Sequence, residues 1–389
     1  MTTLTFQEAE RQAREALAAN QLERAESLTR AMLASGSGPL PIWSLLVTAL
    51  RRQGRAAEAR PIQEMLVNAA PGNLELRFDL AEILLLLGEF DRGWREYHHR
   101  YGLAHTVHLH RKVQMPAWDG RPLTGQTLLI HDEQGFGDSF QFMRLVSLAK
   151  QRSGARIVLQ IIPEQAAFAR RLAGVDQVIL RGEVPPPFDA HCQMMSLPRA
   201  LGLKLSDLPG RMPYLEVDPA RVRKWQKRLA KLPRPLVALV WAGQPSHFND
   251  ANRSTTLAAL APLGLEGVSF LSVQKGPKAV EAASPPSALS LVDLAGEIKD
   301  FDDTAAIFKI VDLLISVDSS PVHLAGGVGC PAWVMLPFVP DWRWLLERED
   351  SPWYPSLRLF RQRKEGDWVE MIERMAGELA RLRDQVRAR

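Results

Sequence analysis

Two turns, far apart in the chain, carry the residue types most able to do chemistry. The first is Gly135-Phe136-Gly137-Asp138, which follows the apolar run TLLI and opens an amphipathic segment. Backbone amides in such a turn, and at the helix start it feeds, favour a bound anion or a developing negative charge. Asp138 has a local use, because Asp caps helices well and Ser139 would begin the helix. It is also an ionisable group at the carboxyl end of a strand, where open α/β sheets bind ligands. A general base for a hydroxyl needs that placement.

In the second turn the run LLISV ends at Asp318, and Ser319, Ser320, Pro321, Val322 and His323 open a helix that continues through Gly326. Proline is tolerated there because its missing N–H has no helical partner in the first turn. Amides and hydroxyls at such a start donate to phosphate oxygens, and His323 adds a donor or a proton. The residues equally allow Ser320 to be a cap and His323 a core histidine. Lys275, in SVQKGP, follows another apolar run and supplies a point charge, while Gly243, after LVALVW, lets backbone approach a ligand. With the polar loop Arg253-Ser254-Thr255 that follows Gly243, these strand ends converge in polar groups, the pattern of a binding crevice.

Other clusters have other uses. A dinucleotide fingerprint would need glycine where Phe140 stands, and Glu164, at the end of RIVLQII, is the feature that keeps an oxidoreductase reading open. Asp300-Phe301-Asp302-Asp303 has the D-x-D spacing of a metal-held diphosphate, but it directly precedes TAAIFKIV, where carboxylates stabilise a helix start. His105, His108 and His110 lack a carboxylate or thiolate at ligand spacing, so a helix tail is the expectation there. Trp333, Phe338, Trp342, Trp344, Trp353, Tyr354 and Trp368 could stack a base, although large rings mainly supply buried area.

The elements that must position these residues fall into two kinds. Asn20, Gly54 and Gly88 lie 34 residues apart, and Ala25, Ala59 and Gly93 follow each by five. Asn or Gly turns the chain between two antiparallel helices, and the small residue lets them approach closely. Ala13, Val47 and Ala81 recur at one phase of the first helix, and Pro71-Gly72-Asn73 separates the second and third units. From Thr127 the grammar changes to short apolar runs alternating with helices: TLLI, RIVLQII and QVIL, then LVALVW, VSFLSV, LLISV and AWVMLP. That is a parallel sheet with helices on its faces, written twice. Pro116 to Gly125 reads as a boundary, and a charged segment from Gly366 to Val386 as a closing helix.

Composition sets the outer bounds. At 389 residues, two or three domains are expected. No apolar run is long enough to span a bilayer, and the acidic start lacks a signal core, so the expectation is a cytoplasmic protein. Cys192 and Cys330, lone and far apart, argue against a disulfide framework or a thiolate zinc site. The net charge is +4, but residues 199–234 hold ten Lys/Arg against three Asp/Glu. A solvated helix and linker is the expectation, with at most peripheral membrane contact and no nucleic-acid partner.

The segments HDEQGFGDSFQFMRL, VWAGQPSHFND, SVQKGP, DFDDTAA, SVDSSPVHLAGGVGCPAWVMLP and PDWRWLLEREDSPWYPSLRLFRQ together resemble the tetratricopeptide-containing glycosyltransferases related to the ADP-heptose:lipopolysaccharide heptosyltransferase family. The resemblance implies a GT-B fold of two Rossmann-like domains behind an all-α repeat region. It implies an inverting, metal-independent hexosyl- or heptosyl-type transfer from a nucleotide diphosphate sugar, with no other cofactor. By position, Asp138 matches the candidate base of the G-x-G-D turn, with Gly135 and Gly137 in the acceptor-side loop. Lys275 matches the phosphate-binding lysine, and Asp318, Ser319, Ser320 and His323 fall on the donor motif. Ser319 stands where Thr is commoner, and Pro321 where a smaller residue is typical. Gly243, Ser254 and Gly326 complete the expected donor side.

The expected domains are 1–110 for the repeats, 111–215 for the acceptor-side half and 216–389 for the donor half with its closing helix. Protein O-GlcNAc transferases also join such repeats to a GT-B enzyme, so the acceptor is a protein side chain or a glycan such as lipopolysaccharide, chosen by the repeats. The alternatives are a non-catalytic repeat scaffold and a dinucleotide oxidoreductase.

Overall fold

The computed structural model describes residues 6–34, 38–104, 106, 109 and 113–388. His105, His108 and His110, weighed above as metal ligands, lie outside the described residues. The chain divides into two compact units: residues 1–111 with Leu203–Leu205 and Val339–Glu347, and the remainder.

The first unit is helical: α1 (Phe6–Ala18), α2 (Leu22–Leu33), α3 (Leu40–Arg52), α4 (Ala56–Ala69), α5 (Leu74–Leu86) and α6 (Phe90–Tyr97). The periodic turn residues Asn20, Gly54 and Gly88 all take positive φ, 57°, 74° and 81°, which reverses the chain between paired helices. Ala25 and Ala59 are fully buried, and a side-chain carbon on Gly93 would stand 2.7 Å from Leu85 Cδ2. Ala13, Val47 and Ala81 are buried at their shared phase, and Asn73 caps α5 by accepting from Glu75 N and Leu76 N. Trp342, from the Val339–Glu347 stretch, belongs to this unit's aromatic cluster, with ring centroids 5.2 Å from Trp94 and 6.2 Å from Tyr97.

The second unit holds two parallel sheets. The first has β1 (Thr127–His131), β2 (Arg156–Ile161), β3 (Gln177–Leu180) and β4 (Ala190–Gln193) in the order β3-β2-β1-β4. Helices α7 (Phe136–Phe142), α8 (Arg144–Ser153), α9 (Ala166–Arg171) and α10 (Leu197–Leu201) accompany it. The segment read as a boundary is partly paired: Trp118 N donates to His191 O and His191 N to Pro116 O, extending the sheet beyond β4.

After α11 (Pro219–Leu229) come β5 (Leu236–Val240), α12 (Asp250–Arg253), β6 (Ser269–Ser272), β7 (Leu291–Asp293), α13 (Phe301–Phe308), β8 (Leu313–Val317), α14 (Ser320–Val328), β9 (Ala332–Leu336), β10 (Leu357–Arg361) and α15 (Trp368–Arg387). The second sheet runs β10-β9-β8-β5-β6-β7. Its central strands β5, β6 and β8 are buried along their whole length, as parallel strands covered on both faces must be. The closing helix α15 buries Met371, Ile372, Met375 and Leu379 against this core. LAALAPL, which lies between two of the apolar runs and so stands where an alternating helix is expected, forms instead a 3₁₀ segment, Ala258–Leu263, with Pro262 inside it. Among the described residues no helix is long and apolar enough to cross a membrane.

Candidate active site

The two turns singled out by sequence meet. α7 begins at Phe136 with Gly135 at its cap, so Asp138 is the third helical residue, not the cap. Its carboxylate reaches back to accept the Gly135 N–H at 2.9 Å, as an acidic residue at this position can. Asp138 and Gly137 are half-buried, while Phe136 is exposed. A side-chain carbon on Gly137 would stand 2.9 Å from His323 Cδ2, 3.6 Å from His323 Nε2 and 3.6 Å from Ser320 Cα. The turn after β1 of one sheet therefore lies against the helix start after β8 of the other.

On the donor side, Ser319 is the cap position of α14, and its Oγ donates to Val317 O at 3.2 Å. Ser320 is the first helical residue and Pro321 the second, with Asp318, Ser319 and Ser320 half-buried. His323 is buried, and its Nδ1 lies 2.9 Å from the Tyr354 hydroxyl. Gly326, one turn on, makes room for that tyrosine: a side-chain carbon there would stand 2.3 Å from the ring.

The loops after β5 and β6 are fastened together. Gln274 Oε1 accepts from Trp241 N and Ala242 N, while its Nε2 donates to Ala242 O and Lys275 O. Ser254 Oγ accepts from Gly243 N and donates to Asp250, and a carbon on Gly243 would collide with Arg253 and Asp250. Lys275 is exposed and its Nζ donates to Ala295 O and Ile298 O, tying down the turn after β7.

The acidic cluster is engaged by cations. Asp302 pairs with Arg171 of α9, and Asp300 with Arg221 at 3.0 Å. Asp303 is buried and takes bonds from Arg221, Lys224, Trp225 Nε1 and Lys299 N. Burial alone would raise its carboxyl, but the bonds from Trp225, Lys299, Arg221 and Lys224 hold it below the ordinary range. Phe301 between them packs edge-on to Phe136 and Phe140 of α7, at 5.0 Å each. Asp300 caps α13, so that helix begins earlier than TAAIFKIV suggests. Arg228 and Arg234 of the basic stretch are likewise paired, with Glu297 and Asp312.

Sequence reasoning missed Arg144, a cation buried on α8. Its guanidinium lies 4.6 Å from the ring centroids of both Tyr214 and Tyr354 and donates to Trp353 O at 2.6 Å. It missed Gln274 as well, although a polar residue ending an apolar run in SVQKGP was the available signal.

No protein-family model matches the chain. It is 30% identical over 340 residues to protein FlbA of Caulobacter vibrioides, a match covering 79% of this chain and 56% of FlbA. The chain thus spans little more than half the length of that relative. Among solved structures it is similar to ADP-heptose lps heptosyltransferase II of Escherichia coli, with TM-score 0.51, 15% identity, and coverage of 67% of this chain and 99% of the other. A glycosyl transferase family 9 protein of Veillonella parvula gives TM-score 0.50 and 11% identity over 68% of this chain and 99% of its own. The two-sheet portion of the chain accordingly has the GT-B fold of the heptosyltransferases, preceded by an all-helical repeat region.

Proposed function

We propose that the chain is an inverting glycosyltransferase that moves a sugar from a nucleotide diphosphate sugar to a hydroxyl acceptor without a metal ion. The observation that carries this reading is the apposition of the Gly135–Asp138 turn and the Ser319–His323 helix start, with Gly137 in contact with His323. An acceptor oxygen attacks the anomeric carbon as Asp138 takes its proton, and the bond from that carbon to the diphosphate breaks on the opposite face. α14, His323 and Lys275 stabilise the departing diphosphate. Two of the three Lys275 N–H donors hold carbonyls, so a third is left for a phosphate oxygen.

The acceptor is a protein side chain or a glycan of the lipopolysaccharide kind, selected by the helical unit, in the cytoplasm where nucleotide sugars are made. Contact with a membrane is peripheral at most, and no nucleic-acid partner is proposed; four of the ten cations of the basic stretch, Arg221, Lys224, Arg228 and Arg234, are in intramolecular pairs.

A competing reading, a non-catalytic scaffold, is favoured by the Asp138 carboxylate capping its own helix. A thermal-shift screen of nucleoside diphosphates, nucleotide sugars and NADPH tests the donor assignment. A ligand at a hundred times its Kd adds about 2.7 kcal/mol to native stability. Stabilisation by a nucleoside diphosphate, weakened in a folded Lys275→Ala variant, is expected. Stabilisation by NADPH alone would return the oxidoreductase reading.

A further inference from the structure

We propose that Tyr354 is a positioning residue: its hydroxyl donates to His323 Nδ1 and so keeps the ring's proton on Nε2, at the junction of the α14 start and the Gly135–Asp138 turn, available to the departing diphosphate. This rests on the donor site proposed above and adds how its histidine is set. The two side chains come from different elements, α14 and the loop before β10, and both are buried, Tyr354 completely. Their Nδ1–hydroxyl distance is 2.9 Å, within the range of a strong bond to a phenol. A ring nitrogen that accepts forces the proton onto the other nitrogen. That other nitrogen is Nε2, and it faces the acceptor-side turn, 3.6 Å from where a Gly137 side-chain carbon would stand.

The direction of the bond follows from what lies on the tyrosine. The Arg144 guanidinium sits 4.6 Å from the Tyr354 ring centroid, and a cation on the ring face draws electron density from the phenol. A phenol so polarised is the better donor and the poorer acceptor. The ring itself is fixed by close packing: it lies over Gly326, where any side-chain carbon would come within 2.3 Å of it, while Arg144 is anchored by the carbonyls of Trp353 and Pro209. Tyr214, whose ring Arg144 also covers, donates to Phe140 O of α7 at 2.7 Å. One buried cation therefore touches the two tyrosines that hold, respectively, the donor-side histidine and the helix carrying Asp138.

Imidazole nitrogen NMR on the full chain tests this directly, with His323→Gln identifying the signal and the pH set where the ring is neutral. The wild type should show a protonated, pyrrole-like Nε2 and an acceptor Nδ1 displaced by its hydrogen bond. Tyr354→Phe keeps the ring over Gly326 and under Arg144, and should move the Nδ1 signal to that of an unbonded acceptor. ADP or UDP should shift the wild-type Nε2 signal, and the same nucleotide should bind Tyr354→Phe about fivefold more weakly, the scale of one hydrogen bond. A protonated Nδ1 in the wild type, or an Nδ1 signal indifferent to Tyr354→Phe, overturns the proposal. A wild-type Nε2 signal that ignores every nucleoside diphosphate, with the Tyr354 bond intact, instead refutes the donor site on which it rests.

Discussion

Gly137 and His323 touch: the glycine has no side chain because the imidazole edge occupies the space one would need. Gly137→Ala should force the two helices apart, although alanine is the better helix former. Overpacking of this kind costs about 1–3 kcal/mol. Chemical denaturation should show that loss, together with weaker nucleoside diphosphate binding. An alanine variant equal to wild type in both would mean that the turns are separated in solution.

Asp138 has two jobs that one substitution separates. The side-chain oxygen of Asp138→Asn can still accept from Gly135 N, so the helix start survives. The variant cannot take a proton, and turnover should fall roughly 10²–10⁴-fold while donor affinity stays within about twofold. Calorimetric binding beside a transfer assay reads both quantities. Wild-type turnover in the asparagine variant would leave Asp138 only its capping role.

Asp302 is paired with Arg171, and the D-x-D spacing is used to fasten α13 to α9. Sugar transfer should persist in excess EDTA. Asp302→Ala should lower the melting temperature, by the equivalent of about 1–2 kcal/mol for a half-buried charge-assisted pair, and leave turnover per folded molecule unchanged. Activity that disappears with chelator and returns with manganese or magnesium would refute the metal-independent mechanism.

Asp303 gives the acid limb of stability a defined sign. Its carboxyl is held below the ordinary value of 3.8, so it binds fewer protons folded than unfolded. Its contribution is therefore complete well above 3.8 and is lost as pH falls through the depressed folded value. Asp303→Asn should be destabilised by about 1–3 kcal/mol at neutral pH, leaving Lys224 without its carboxylate and Arg221 with Asp300 alone. The urea-unfolding curves of variant and wild type should converge toward acid pH. Parallel curves would place the pH dependence elsewhere.

Trp342 is buried in the helical unit against Trp94 and Tyr97, although it lies between β9 and β10 in sequence. Trp342→Ala should destabilise that unit by about 3–5 kcal/mol. Hydrogen exchange should then quicken in α5 and α6. Exchange unchanged in those helices would show that the ring adds nothing to their core.

What could be read in advance depended on whether the signal was local. The turns at Asn20, Gly54 and Gly88 were legible because reversing φ needs particular residues at one period. β1, β5, β6 and β8 were legible because strands covered on both faces are mostly apolar, broken here only by small or terminal polar residues such as Ser269, Ser272 and Ser316. β4 was not, since AHCQ hides its two polar side chains inside the unit, and β10, LRLFR at the sheet edge, is interrupted by Arg358 and Arg361. The site showed the same division. Gly135, Gly137 and Asp138 stand together in sequence, as do Asp318 to His323, but nothing local ties Tyr354 or Arg144 to His323. Tyr354 was visible only as one ring in an aromatic-rich stretch, and its bond to His323 exists only once α14 and the loop before β10 are assembled.

The helical unit is built from three stretches of chain, 1–111, Leu203–Leu205 and Val339–Glu347, not from one. An array gained by simple fusion to an existing enzyme would be contiguous, and could be swapped by cutting once. Here exchange of the array between proteins has to carry its counterpart around Trp342 with it, because a foreign α6 would meet a tryptophan fitted to Trp94 and Tyr97. A chimera that respects only the apparent boundary near residue 111 therefore leaves Trp342 against an α6 to which it was not fitted.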